Sequence, residues 1–290
     1  ITAFLCKRLP LERRASRNTC DSYAYSFQIL FEYASERLGV APSALLLEQI
    51  DVPLILDFLE YLKTERGNAP STCNVRLAAV KSFMRFVEHR IPSALHQVQR
   101  ILAISSQKTD TRLVRYLEKD EVQAILDAPV PTTRMGIRDR AMLHLAVTAG
   151  LRVSELVGIQ NEDVAFESRY VDIRVHGKGR RERIIRLWSS VAKSLRAWLS
   201  VRGQEPVPEL FINARGKQMT RSGFEYVLAK NVTKASESCP SLKNKRVSPH
   251  VLRHTCAMRV LQATNDIRKV ALWLGHTSIQ TTEIYLQADP

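Results

Sequence analysis

Apolar residues recur at helical spacing along almost the whole chain, and the period changes once, between residues 170 and 187. A chain patterned this way folds mainly as helices with one small β element, because a 3.6-residue period buries a helix face and a 2-residue period a strand face. In the N-terminal third, Ser16 to Leu38 presents Ala24, Phe27, Leu30, Phe31, Ala34 and Leu38 on one face, and Gly39 can end it. Val52 to Leu62 repeats the pattern, Pro70 opens a third helix running through Val87, and a short fourth is expected from Ser93 to Ile104. Short connections make this a helical, four-helix-bundle-like module.

Residues 105–115 are polar and aperiodic, as an interdomain linker is. Beyond them, helices are expected over Glu118–Leu126, Ile137–Thr148 and Arg152–Val157, with Gly150 ending the second. Tyr170–Val175 and Arg183–Leu187 then alternate like paired strands, with Gly177-Lys178-Gly179 in their connection, which predicts a hairpin. Helices resume at Ser190–Val201, Thr220–Ala235, Pro249–Ala263, Asp266–Leu274 and Ser278–Leu286. The expected organisation is a helical module over 1–106, a linker over 107–115 and a mixed, mostly helical domain over 116–290.

Charge supplies the first functional constraint. The 43 Lys and Arg residues exceed the 29 Asp and Glu by 14. Such a balance favours a polyanionic partner, through phosphate contacts and counterion release. The excess is uneven: residues 1–106 carry 13 basic and 10 acidic side chains, a net of +3, and the remainder a net of +11. Five scattered cysteines with no C-x-x-C pair argue against a disulfide framework or a zinc site and for a reducing, intracellular setting. Neither a spanning apolar run nor a signal peptide is present, so no membrane is expected. The chain begins with Ile rather than Met, and a trimmed start is expected.

Several side chains in the basic C-terminal part carry chemistry. Arg152 follows the glycine break at Gly150, and Glu155 lies three residues on, near enough on a helix to orient it. Lys178 sits between two glycines at the hairpin tip, where a lysine can reach into a groove. His250 and Arg253 share a helix face near the start marked by Pro249, where backbone N–H groups also favour an anion. His254, next in sequence, is expected to point elsewhere, as packing or surface. His276 follows Gly275, and Tyr285 lies nine residues further. Taken singly, each has a bland reading as a solvated charge or a core aromatic. No phosphate loop of the G-x-x-x-x-G-K-[ST] type occurs, which excludes that class of ATPase.

Together, Gly150-Leu-Arg-Val-Ser-Glu-Leu156, His176-Gly-Lys-Gly179, Ser248-Pro-His-Val-Leu-Arg-His-Thr255, Leu274-Gly-His-Thr277 and Thr282-Glu-Ile-Tyr285 resemble, in order and spacing, the catalytic boxes of tyrosine recombinases. This is the class of phage integrases and Xer-type enzymes. The resemblance covers residues 116–290; over 1–115 it is architectural, to the family's core-binding domain. It implies a site-specific DNA recombinase, integrase-like, that cleaves and rejoins strands through a 3′-phosphotyrosine. Tyr285 is then the nucleophile, Arg152 and Arg253 clamp the phosphate, and Lys178 protonates the leaving 5′ oxygen. His250 helps accept the tyrosine proton, and His276 binds the phosphate. The implied partner is double-stranded DNA, on which a homo-oligomer, a tetramer on two sites, assembles in the cytoplasm at the nucleoid. No cofactor or metal is expected, because the bond energy is kept in the protein–DNA ester. A type IB topoisomerase and a non-catalytic DNA-binding regulator on the same scaffold are the alternatives. The family usually continues past the tyrosine into a segment that docks on a neighbouring protomer. Five residues follow Tyr285 here, so either other surfaces join the protomers or the chain is trimmed.

Overall fold

The computed structural model describes residues 1–109, 115–177, 182–276 and 279–286. The chain divides into two compact units, Ile1–Thr111 and Arg112–Pro290. Much of the expected linker, residues 110–114, lies outside the described residues.

In the first unit, four α-helices follow the apolar periods: α1 (Arg17–Leu38), α2 (Val52–Thr64), α3 (Pro70–Glu88) and α4 (Leu95–Leu102). Their ends are set locally. Ser16 Oγ accepts the N–H of Thr19 and Asp51 Oδ1 that of Leu54, satisfying amides that open a helix without a partner. Gly39 closes α1 in the left-handed conformation at φ 66°. Phe58, Leu62, Leu77, Val80 and Met84 are among the side chains buried at the centre. Besides short 3₁₀ turns, the period missed Phe4–Glu12, which winds as a wide π-type helix ahead of α1. Only Phe4 and Leu9 of it are buried, Phe4 against the rings of Phe27, Phe83 and Phe86. Two anchors in nine residues, among charges, give no readable period.

In the second unit, α5 (Lys119–Asp127), α6 (Arg134–Ala149) and α7 (Val153–Gly158) precede an antiparallel sheet of β1 (Val164–Phe166), β2 (Tyr170–His176) and β3 (Glu182–Trp188), in that order. The β2–β3 hairpin pairs Tyr170 with Trp188 through to His176 with Glu182. This register turns Val171, Ile173 and Val175 inward with Ile185 and Leu187. The three-residue β1 was not anticipated, being too short to alternate. α8 (Ser189–Arg202), α9 (Arg221–Ser238), α10 (Pro249–Thr264) and α11 (Ile267–Leu274) complete the unit.

In its described residues, 279–286, the expected final helix Ser278–Leu286 is not α-helical. Its described part forms two short 3₁₀ turns, Ile279–Thr281 and Glu283–Tyr285. At three residues per turn, side chains at i and i+3 eclipse. This stacks Thr282 and Tyr285, which are 0% and 1% exposed, against the body of the unit.

Candidate active site

Two glycine-ended helices and the start of α10 converge on one point. Gly150 ends α6 at φ 60° and Gly275 ends α11 at φ 65°, both in the left-handed region that disfavours a side chain. A Cβ at Gly150 would fall 2.7 Å from Leu274 Cδ2, and one at Gly275 would fall 2.8 Å from Arg183 Nη1. The two ends present carbonyls to Arg253, which donates from Nη1 to Gly150 O at 2.6 Å and from Nη2 to Leu274 O at 2.8 Å. Its side chain is 8% exposed. Burial, with repulsion from Arg152, pushes its pKa down to about 10, so it stays charged at neutral pH.

Glu155 anchors the cationic side. Ser154 and Glu155 lie in the first turn of α7, behind the N-cap Arg152, and Glu155 Oε2 accepts the Arg152 backbone N–H at 3.0 Å. Its carboxylate also accepts from the Arg152 guanidinium at 2.8 Å and from both terminal nitrogens of Arg183, at 2.9 and 3.3 Å. Arg253 Nη1 stands 4.0 Å away. Burial alone pushes this carboxyl up, but the bonds from Arg183 and Arg152 outweigh it and hold the group below the usual carboxylate range. Three guanidinium groups thus share one carboxylate, leaving positive potential where planar forks fit phosphate oxygens.

Beside this cluster lies Tyr285, its hydroxyl 2.8 Å from His254 Nδ1 and its ring edge-on to that imidazole. Burial pushes the phenol up to about 12, against the lowering pull of Arg253 and Arg152. The expectation that His254 points elsewhere is therefore corrected. Spacing of three placed His250 and Arg253 on one face, but a spacing of four does the same for His250 and His254. His250 is exposed, its ring centre 6.5 Å from that of His254. His276, half-buried, bonds through Nδ1 to Thr282 Oγ1 at 2.8 Å. Burial and the nearby Arg253, Arg152 and Arg183 press its pKa down to about 4. Among the described residues, no group of three or more His, Cys, Asp or Glu side chains is placed to hold a metal ion.

Residues 115–290 match the model of the phage integrase family, and residues 1–90 that of the phage integrase N-terminal SAM-like domain. The chain belongs to the phage integrase family. It is similar to the Sinorhizobium fredii (strain NBRC 101917 / NGR234) protein y4rC, provisionally named an integrase/recombinase, at 43% identity over 99% of this chain and 86% of that protein. It is 32% identical to the tyrosine recombinase XerC of Pelotomaculum thermopropionicum, over 96% of this chain and 90% of the relative. In fold it resembles the XerH site-specific recombinase solved in a post-cleavage complex with its palindromic difH substrate. The TM-score is 0.74 at 22% identity, covering 100% of this chain and 82% of that one. This phage integrase family member is a site-specific DNA recombinase of the tyrosine type.

Five of the six residues singled out in this recombinase's sequence are described. Arg152, Arg253, His276 and Tyr285 are linked through the Glu155 cluster by contact or mutual charge, and His250 stands at its exposed edge. The sixth, Lys178, belongs to the connection between β2 and β3 and lies outside the described residues. Sequence reasoning missed Arg183 as well as His254. Arg183 sits in a run of charge, Arg180-Arg-Glu-Arg183, but the alternation of its strand puts it on the face of Ile185 and Leu187, the signal that could have found it. No helix among the described residues is long and apolar enough to cross a membrane.

Proposed function

We propose that this recombinase cleaves a DNA strand by attack of the Tyr285 hydroxyl on a backbone phosphate, leaving a 3′-phosphotyrosine and a free 5′-hydroxyl. The observation that carries the reading is the setting of Tyr285: a buried side chain, bonded through its hydroxyl to His254, the neighbour of Arg253 in the Arg152–Glu155–Arg253 cluster. A phosphate drawn to those guanidiniums arrives beside the nucleophile, and the charge developing on its non-bridging oxygens meets fixed cations. Arg183 is held through Glu155 in the same cluster and steadies Arg152. His276, neutral at pH 7, offers a ring N–H to a phosphate oxygen while Thr282 fixes its other side. Lys178 serves as the general acid for the 5′ oxygen, a role supported by its place in the His176-Gly-Lys-Gly179 box. His250 assists at the solvent edge of the nucleophile.

The division of labour follows the chain: residues 1–106 form a helical core-DNA-binding domain, 107–115 a linker and 116–290 the catalytic domain. The partner is double-stranded DNA, on which four protomers assemble over two sites, in the cytoplasm and at the nucleoid. The net charge of +14 supports a polyanionic partner. The test is covalent capture. The protein is incubated in EDTA, without nucleotide, with a randomised pool of nicked duplexes whose cleavage cannot reverse, and adducts are recovered and sequenced. A DNA adduct on Tyr285 is expected. Absence of an adduct, or one mapped to another residue, would overturn the proposal.

A further inference from the structure

Strand cleavage requires a proton to leave the nucleophile. For the Tyr285 oxygen to bond to phosphorus it must shed its hydrogen, and a phenol buried and pushed up to about 12 does not do so unaided. The box resemblance gives that proton to His250, yet His250 is exposed, and the hydroxyl is bonded to its neighbour one turn along, His254. From the contact between the Tyr285 hydroxyl and His254 Nδ1, 2.8 Å long with the ring planes at 64°, we infer that His254 orients the nucleophile and receives its proton during strand cleavage.

The geometry favours this in three ways. The contact lies within the reach that a general base requires. With His254 protonated on Nε2, the hydroxyl hydrogen points at Nδ1, which leaves the oxygen lone pairs free to face the arginine side. And His254 adjoins Arg253 on α10, so the group that takes the proton and a group that clamps the phosphate ride on one rigid helix.

The step balances. The Tyr285 oxygen forms a bond to phosphorus, and its hydrogen passes to Nδ1. His254, which carried a proton on Nε2 alone, becomes imidazolium. The P–O5′ bond breaks, and the 5′ oxygen takes a proton from Lys178 in the role proposed above. Rejoining reverses each transfer, with the imidazolium returning its proton to the departing phenolate.

The resting state explains when the transfer happens. Burial, His250 and Arg253 push His254 down to about 4, far below the phenol, so the pair rests neutral and no phenolate accumulates. A phosphate seated on Arg253 offsets the guanidinium charge that suppresses His254. The forming O–P bond then drains electrons from the phenol oxygen and makes its hydrogen strongly acidic. Proton transfer is thereby tied to the presence of substrate.

This inference rests on Tyr285 being the nucleophile, and its test separates the two. The substrate is the nicked duplex that the wild-type protein captures most from the randomised pool. His254→Ala should bind that duplex normally and form the adduct about 10²–10⁴-fold more slowly in single turnover, the usual range for a lost general base. His254→Asn keeps an acceptor near the old Nδ1 position but has no basicity, and should stay slow. Replacing Tyr285 in either variant by a ring-fluorinated tyrosine, whose hydroxyl is more acidic, should restore much of the rate. Should His254→Ala misfold, the same rescue in His254→Asn decides. Wild-type rates in either variant, or no rescue by the fluorinated ring, would overturn the inference while leaving the nucleophile in place. Failure of the wild type to form any adduct on Tyr285 would overturn both.

Discussion

The two units of this recombinase bury different kinds of atoms. Among the described residues of the first unit, the buried polar side chains are Ser26 and Ser82, inside a core of Phe, Leu, Ile and Val. The second unit buries Glu121, Arg138, Asp139, Glu155, Asp163, Arg202 and Arg253. A buried charge is tolerated only when paired or hydrogen-bonded, and these are. Arg138 is matched by Asp139, and Arg202 donates to the carbonyls of Leu210, Gly203, Val207 and Glu209. The Glu155 cluster differs even from these, because three guanidiniums crowd one carboxylate. The first unit is held by transfer of apolar surface from water. The second also holds an excess of fixed positive charge at one point, a feature that calls for an anion and marks the site.

The comparison breaks most visibly at the nucleophile. Tyr285→Phe removes one oxygen and should abolish the covalent adduct while leaving DNA binding intact, measured by adduct formation and by gel shift on the same captured duplex. Adduct at wild-type yield would remove Tyr285 from the chemistry. Next in size is Lys178→Ala, which should slow cleavage about 10²–10⁴-fold, as a lost general acid does. A duplex with a 5′-bridging sulfur at the cleavage site leaves without protonation and should recover the rate. If it does not, Lys178 acts elsewhere.

A paired comparison tests the cores themselves. Glu155→Gln leaves buried arginines without their carboxylate and should cost about 3–5 kcal/mol of stability together with slowed cleavage. Phe58→Ala, in the first unit, should cost about 3–5 kcal/mol by opening an apolar cavity. The adduct-forming rate on saturating DNA should, however, hold. Chemical denaturation and single-turnover kinetics on both variants measure the two effects. Equal loss of rate in the two would show that the buried charge of the second unit serves stability alone.

Much of this was readable in residues whose physics is local. Ser16, Asp51, Gly39, Gly150 and Gly275 mark helix ends because capping acts over three or four residues. The boxes around Arg152, Arg253 and Tyr285 carried the resemblance because each is a short run of adjacent residues. What escaped depended on distant partners. The helix at Phe4–Glu12 exists because Phe4 finds rings on α1 and α3. Arg183 is a site residue because β3 carries it to a carboxylate 28 positions back along the chain. The turn at Glu283–Tyr285 is 3₁₀ with Tyr285 buried, and the bond from Tyr285 to His254 spans 31 positions.

The smallest effect expected is a slope in stability with pH, and it belongs to the second unit. The chain's three tryptophans, Trp188, Trp198 and Trp273, all lie there, so their fluorescence reports its unfolding. Burial holds His144, His254 and His276 down to about 4, with repulsion from Arg140 at the first, from His250 and Arg253 at the second, and from Arg253 and Arg152 at the third. In the unfolded chain each titrates near 6.5. Between about pH 6.5 and 4 the unfolded state therefore binds protons that the folded state refuses, and stability falls as pH falls, by at most about 1.4 kcal/mol per pH unit for each fully coupled histidine and by less for a half-exposed one. Below that window, Glu155 and Glu121 continue the trend. Each is held low by its hydrogen bonds against the raising effect of burial, so its contribution is present above the unfolded carboxyl value and lost as acid reaches the folded one. His176 opposes: its bond to Asp163 raises it, so it adds stability at low pH that is lost as pH rises, but it is 52% exposed and weakly coupled. Urea midpoints from tryptophan fluorescence should thus fall from pH 7.5 to 5, and His144→Gln, which keeps a polar neighbour for Ser194 outside the site, should flatten the fall by up to one proton. Midpoints level across that range would mean that the histidines are charged in the folded protein. The burial that holds His254 neutral below pH 6.5 would then be absent.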